Sequence, residues 1–326
     1  MSADRYELIR KLGSGNFTEG VWLARHKDMD REFAVKLLKI EPGSGRDSLL
    51  QEAKLMAALD RHDHVVEVFD AGDWDADRVY IASEVCADGS LDALAGGEVD
   101  PATACRVMSE ACRGLVHMHA KDLLHLDLRP ANILLQGATP KVADFGLSQW
   151  SRSAAVAQVY TPHASPELLD GHIGTKASDQ YAMAMTMAHL LTAGGICTNA
   201  PLDQVNASRT GKWPDLSLIG DHVPAKVTKL IKRATAYNPD KRFPTIGDLE
   251  QAIDLASPAV SFRSVDQVTM ESTDGVWKVH WSSKGAAHTI EVFRNGRRVT
   301  AKGAYNVTEQ EAAPHRRRVV TSMAKP

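Results

Sequence analysis

The stretch His125-Leu126-Asp127-Leu128-Arg129-Pro130-Ala131-Asn132-Ile133-Leu134-Leu135, followed by Asp144-Phe145-Gly146, sets a carboxylate, a cation, an amide and a second carboxylate within the 18 positions from Asp127 to Asp144. That set suits phosphoryl transfer. When a phosphoryl group moves between oxygens, little covalent chemistry falls to the protein. It must supply hard oxygen ligands for a divalent cation, neutralising charge, and one acceptor for the proton of the incoming hydroxyl. Asp127 is the candidate acceptor, Asn132 and Asp144 offer the cation ligands, and Arg129 brings positive charge.

Upstream, residues 6–85 show short alternating runs broken by turns. One helical insert, 47–59, carries Leu49-Leu50, Ala53 and Met56-Ala57 at helical spacing. Gly13-Ser14-Gly15 lies between two strand-like runs, 8–12 and 21–24. Glycines there let backbone N–H groups fold over phosphates, and they equally make an ordinary hairpin. Phe33-Ala34-Val35-Lys36 reads as a buried strand ending in a cation, which must find an anion because an unpaired buried charge is too costly. Beyond Ser90 the patterns lengthen into helices expected over 101–119, 179–191, 224–237 and 245–255. The fold class expected is α+β. A β-rich lobe reaches about residue 85, an α-rich lobe runs from about 90 to 256, and Val85-Cys86-Ala87-Asp88-Gly89 joins them.

Residues 6–256 resemble a eukaryotic-like protein kinase domain of the bacterial Ser/Thr type. The resemblance implies the two-lobed kinase fold, ATP and Mg²⁺ (or Mn²⁺) as cofactors, protein substrates, transfer of the γ-phosphoryl group to Ser/Thr hydroxyls, and autophosphorylation. By motif, Lys36 clamps the α- and β-phosphates and pairs with Glu52, sixteen residues on. Leu12, Val21, Ala34 and Leu134 wall the adenine slot, Gly13 and Gly15 cover the phosphates, and Glu84 and Cys86 offer backbone at the hinge, with Ser83 gating the rear. Ser165-Pro166-Glu167 resembles the Ala-Pro-Glu that ends the activation segment, with Arg242 as the expected partner of Glu167. Asp179 is expected to accept backbone N–H groups of the catalytic loop. Thr161-Pro162 resembles the substrate-threading element, one residue closer to Glu167 than usual.

Some positions depart from the pattern. Thr18 stands where a third loop glycine is usual, although Gly20 and Val21 fit with one inserted residue. Arg129 replaces the usual lysine, keeping the charge on a wider planar fork. Leu126 replaces the arginine that commonly receives an activation-loop phosphate, so activity is expected not to depend strictly on such phosphorylation, although Ser148, Ser151, Ser153, Tyr160 and Thr161 are modifiable. His125 is expected to be structural, and His62, His64, His117 and His119 to be packed or solvated. Two alternatives stay open: a small-molecule phosphotransferase on the same core, and a catalytically weak scaffold.

Composition agrees with a globular chain: 326 residues, 44% hydrophobic and 24% charged. No run of some 18 uncharged apolar residues suggests a membrane span, and the N-terminal residues lack the order of a secretory signal, so the compartment expected is cytoplasmic. Cys86, Cys105, Cys112 and Cys197 are too scattered for a disulfide framework. Net charge is −3, yet residues 257–326 hold 11 Lys+Arg against 6 Asp+Glu. In this segment Trp277, Val279 and Trp281 alternate onto one face, and Asn295-Gly296 is a strong hairpin turn, so a small basic β module is expected. Arg294, Arg297, Arg298 and Arg316-Arg317-Arg318 could meet a nucleic acid, an acidic partner, the acidic body of the chain, or solvent. A regulatory partner or self-association through this module is the reading, and nucleic acid is not an expected partner.

Overall fold

The structure, a computed structural model, describes residues 5–13, 19–40, 46–50, 53–54, 59–97, 99–145, 149–150, 162–266, 268–284, 287–299 and 308–323. Strands β1 (Tyr6–Gly13), β2 (Gly20–His26), β3 (Arg31–Lys39), β4 (Val68–Asp73) and β5 (Arg78–Ser83) form one antiparallel sheet in the order β1-β2-β3-β5-β4. Side chains alternate between faces along a strand. In β3, Phe33, Val35 and Leu37 are therefore buried with Tyr6, Trp74 and Tyr80, while Ala34 and Lys36 between them are half-buried on the opposite face. The register sets Val21 opposite Lys36 and Ser83 opposite Ala34, so all four side chains share that second face. Of the helix expected over 47–59, residues 47–50, 53–54 and 59 are described, and Arg46–Leu49 and residues 53–54 are helical.

The helical lobe is built from Pro101–Ala120, Lys176–Leu191, Ala225–Ala234 and Ile246–Ala256 around one large apolar core. Asp100 starts the first of these by accepting from the N–H groups of Ala102 and Thr103, with Pro101 in the first turn. Helix Lys176–Leu191 opens with a Thr175–Ser178 capping box and is buried on every side from Ser178 to Leu191 except at His189. Such an all-round apolar helix belongs at the centre of a core. Asp179 and Gln180 are the charged and amide exceptions on it, and each has buried partners. Two short ribbons, β6 (Leu123–Leu124) with β9 (Gln149–Trp150) and β7 (Ile133–Gln136) with β8 (Thr139–Val142), frame the loop between Leu124 and Ile133.

The last segment forms a second antiparallel sheet, β10 (Phe262–Asp266), β11 (Thr269–Ser272), β12 (Trp277–Lys284), β13 (Ala287–Arg294) and β14 (Arg297–Val299), in sequential order. Asn295 and Gly296, both at positive φ (49° and 75°), make the β13–β14 turn. A helix absent from the sequence reading, Glu309–Met323, lays Val319 and Val320 on a core formed by Phe262, Met270, Val279, Ile290 and Val292. Pro314 inside it and the arginine run after it hide its helical pattern. Its start was legible in Thr308-Glu309-Gln310-Glu311, the form of a capping box.

Candidate active site

The loop that carries Asp127 hangs from the central helix. Asp179, fully buried, accepts from His125 N (3.0 Å), Leu126 N (2.8 Å) and His119 Nε2 (2.8 Å). Burial by itself would raise its carboxyl; the hydrogen bond and charge of His119, with His125 beyond, outweigh it and hold the group below the ordinary aspartate range. The anchor also holds Leu126 at φ 65°, a left-handed conformation that costs a non-glycine residue about 1–3 kcal/mol.

His125 braces the two halves of the site. Ala143 O can only accept, so His125 Nε2 donates to it (2.9 Å), and Nδ1 accepts from Asp127 N (3.2 Å). The ring is thereby set as the Nε2–H tautomer, bridging the Asp127 loop to the residue before Asp144. Its role here is structural.

Asp127 Oδ2 accepts from Asn132 Nδ2 at 2.7 Å and lies 3.5 Å from Arg129 Nε. The same Nδ2 donates to Asp127 O at 2.7 Å. Both amide hydrogens of Asn132 are thus committed to Asp127, which leaves Oδ1 as the remaining ligand atom of that side chain. Asp144 Oδ1 meets Lys36 Nζ at 2.8 Å. Phe145 packs into the core against His125, ring centroids 5.4 Å apart, so the neighbouring carboxylate is left to reach across to β3. Burial raises the Asp127 carboxyl above its ordinary value, partly offset by His125, Arg129 and the Asn132 hydrogen bond. The donor set, an amide oxygen and a carboxylate beside a second carboxylate, fits a hard divalent cation such as Mg²⁺.

Val21, Ala34 and Ser83 line the sheet face that carries Lys36, and Leu134 on β7 bridges to Ser90 beside the connection between lobes. Leu12 is exposed, near the end of β1, with Gly13 after it. Glu84 and Cys86 lie in the connecting segment, where Gly89 O accepts from Leu135 N (2.8 Å). Farther off, Arg242 meets Glu167 through two bonds of 2.7 and 2.8 Å and also donates to Ala177 O and Ala236 O. Burial would raise Glu167, but the hydrogen bond and charge of Arg242 hold it below the usual range. Gly15, Thr18, Glu52 and Thr161 lie outside the described residues, as do Ser148, Ser151, Ser153 and Tyr160.

Sequence reasoning missed two supports. Lys141 Nζ, buried, meets Glu84 Oε1 at 2.9 Å, and the same oxygen accepts from Glu67 N. His119, read as a packing residue, is instead a donor to Asp179. In both cases one partner, Lys141 on β8 or His119 on Pro101–Ala120, has no motif of its own and is paired only through the tertiary fold.

A family model described as protein kinase domain matches residues 6–253. The chain belongs to the protein kinase family. Among curated relatives of this kinase are the serine/threonine-protein kinase PrkC of Bacillus subtilis, 29% identical over 271 residues, and PknF of Mycobacterium tuberculosis, 30% identical over 268. These alignments cover 78% and 76% of this kinase but 41% and 55% of the relatives. The serine/threonine-protein kinase kin-29 of Caenorhabditis elegans is 30% identical over 249 residues, 73% of this chain and 29% of that protein. The chain thus spans about half or less of the length of the relatives it matches.

Proposed function

We propose that this chain is a protein kinase that transfers the γ-phosphoryl group of ATP, with Mg²⁺, to serine and threonine hydroxyls of proteins. The observation that carries the reading is the continuous link from Arg129 through Asp127 to Asn132, with Asp144 joined to Lys36 on the facing sheet. Lys36 supplies charge for the phosphates from β3. Asp127 orients the acceptor hydroxyl and takes its proton, and its raised proton affinity suits that task. Arg129 offsets the charge that develops beside it. Asn132 Oδ1 and Asp144 would hold the metal, which when bound neutralises the phosphate oxygens. Val21, Ala34 and Leu134, with backbone of Glu84 and Cys86, are the proposed adenine contacts.

Pro130 directly after Arg129, and relatives named as serine/threonine kinases, support that acceptor class. Leu126, buried with Leu124 against Leu168, supports activity without a phosphorylated activation loop, since no cation stands at that position. Activity that disappears after phosphatase treatment would contradict this point. The module after residue 257 is proposed to regulate the kinase through its contact with the helical lobe, where Arg316 Nε and Nη2 meet Asp221 Oδ2 at 2.9 and 2.8 Å.

Incubation with γ-labelled ATP and Mg²⁺ tests the whole reading. Label on serine or threonine of a protein substrate or of the chain itself is expected. Label on a small molecule alone, or no transfer, would replace it with one of the two alternatives.

A further inference from the structure

Apart from the catalytic cleft, one cluster of ligating side chains stands out among the described residues: His163, His189 and Cys197, whose ligand atoms lie within 4.8 Å of one another. His189 Nδ1 is 3.3 Å from His163 Nε2, and Cys197 Sγ is 3.8 Å from the same nitrogen. Zinc held tetrahedrally, with bonds of about 2.0–2.1 Å to imidazole and about 2.3 Å to thiolate, sets its ligand atoms about 3.3–3.7 Å apart. The two separations from His163 Nε2 are already close to that spacing, and the third, between His189 and Cys197, is within 4.8 Å.

The local chain explains why. Helix Lys176–Leu191 ends just after His189, and Ala193 and Gly194 then take positive φ (46° and 78°), turning the backbone so that the short helix Gly195–Thr198 returns Cys197 to His189. Gly194 is needed there, because a Cβ would meet His189 Nε2 at 3.1 Å on a backbone already strained for any other residue. Thr192 Oγ1 caps Ile196 N, and buried Ile196 pins the turn. On the other side, His163 is buried three residues before Pro166, in a segment fixed by the Glu167–Arg242 pair. Both loops are held by contacts that do not involve the cluster, so the ligands are preorganised.

We propose that His163, His189 and Cys197 bind a borderline-soft divalent cation, zinc foremost, tying the segment before Ser165-Pro166-Glu167 to the end of the central helix. Two imidazoles and a thiolate select zinc, or cobalt as its probe, over hard Mg²⁺. Burial, then the neighbouring His189 and Arg129, pushes His163 down to about 3, and burial likewise lowers His189, so both rings are neutral imidazoles; the His189–His163 hydrogen bond is exchanged for the cation on binding. Burial pushes the Cys197 thiol up to about 12, so its proton leaves in exchange for the cation. His189 and Cys197 are half-buried, which leaves the fourth position to water.

Metal binding here is independent of phosphotransfer, and Co²⁺ is the direct probe. The full chain, stripped of metal and kept in excess Mg²⁺ to fill the catalytic cleft, is titrated with Co²⁺. A thiolate-to-cobalt charge-transfer band saturating at one equivalent and bleached by Zn²⁺ is expected. The band should vanish in Cys197→Ser and in His189→Gln, persist in Cys86→Ser, and the wild-type melting temperature should rise with Zn²⁺. Circular dichroism confirms that each variant is folded. Absence of the band from the wild type, or a band retained at full intensity in folded Cys197→Ser, overturns the proposal.

Discussion

Asp179 has both carboxylate oxygens committed to His119, His125 N and Leu126 N inside the helical core, whereas Asp221, the acidic anchor of the C-terminal helix, meets Arg316 and Arg317 with its side chain 16% exposed. The first anchor cannot be released without orphaning buried donors, each costing about 1–3 kcal/mol. The second can exchange its partners for water. The Arg316 guanidinium also stacks over Trp281 at 4.6 Å, and Ser261 Oγ accepts from Ala102 N at the start of the first long helix. Even so, the terminal sheet keeps its own small core, with Phe262, Val279 and Val292 at its centre. The catalytic loop is thus part of the body of the fold, and the terminal sheet is an attachment with a core of its own.

The sharpest way to break this contrast is to alter chemistry without altering the anchor. Asp127→Asn should lower kcat by about 10²–10⁴-fold, the share typical of a positioned acid–base group. Stability should not fall. Burial raises the Asp127 carboxyl in the folded state, so its ionised form at neutral pH opposes folding, and a neutral amide removes that opposition. Parallel kcat and thermal-melting measurements check both halves.

Cutting a buried anchor should give the converse pattern. Arg242→Met leaves Glu167 as a buried anion without its two bonds and should cost about 3–5 kcal/mol of stability, read by denaturant unfolding. Acid sharpens the same point. Glu167 and Asp179 are both held below their ordinary values, so their contribution is complete above the usual carboxylate range and is lost as pH falls through the lowered folded values. The melting temperature should be level near neutrality and drop below about pH 4. Glu167→Gln should start lower and drop less steeply. The smallest effect belongs to the attachment: Arg316→Ala removes two bonds to Asp221 but leaves Arg317 at 3.8 Å from that carboxylate, and should cost about 1–3 kcal/mol, read by denaturant unfolding.

These differences follow how legible each part was in the sequence. Period-two alternation in Phe33-Ala34-Val35-Lys36 and the long helical patterns after Ser90 give the α+β architecture, because strand and helix periodicities are local. Lys36, Asp127, Asn132 and Asp144 were named because their types and spacing match a chemistry, and the structure brings them together. Glu84–Lys141, His119–Asp179, and His163 with His189 and Cys197 were not named. Each joins residues 8 to 60 positions apart whose meeting is fixed by turns and helix packing, and Lys141, His119, His163, His189 and Cys197 have no motif of their own that marks them. Helix Glu309–Met323 was missed for a different reason: a proline and three consecutive arginines interrupt its apolar pattern.

If the proposed function holds, a magnesium nucleotide lies between the sheet and the helical lobe with its terminal phosphate facing Asp127. A crystal structure of the chain with Mg²⁺ and a non-hydrolysable ATP analogue tests it most directly. The ion is expected on Asn132 Oδ1 and Asp144, Lys36 on the α- and β-phosphates, and the γ-phosphate within reach of a hydroxyl bound to Asp127. An ion that avoids both side chains, or a Lys36 that turns from the nucleotide, would contradict it.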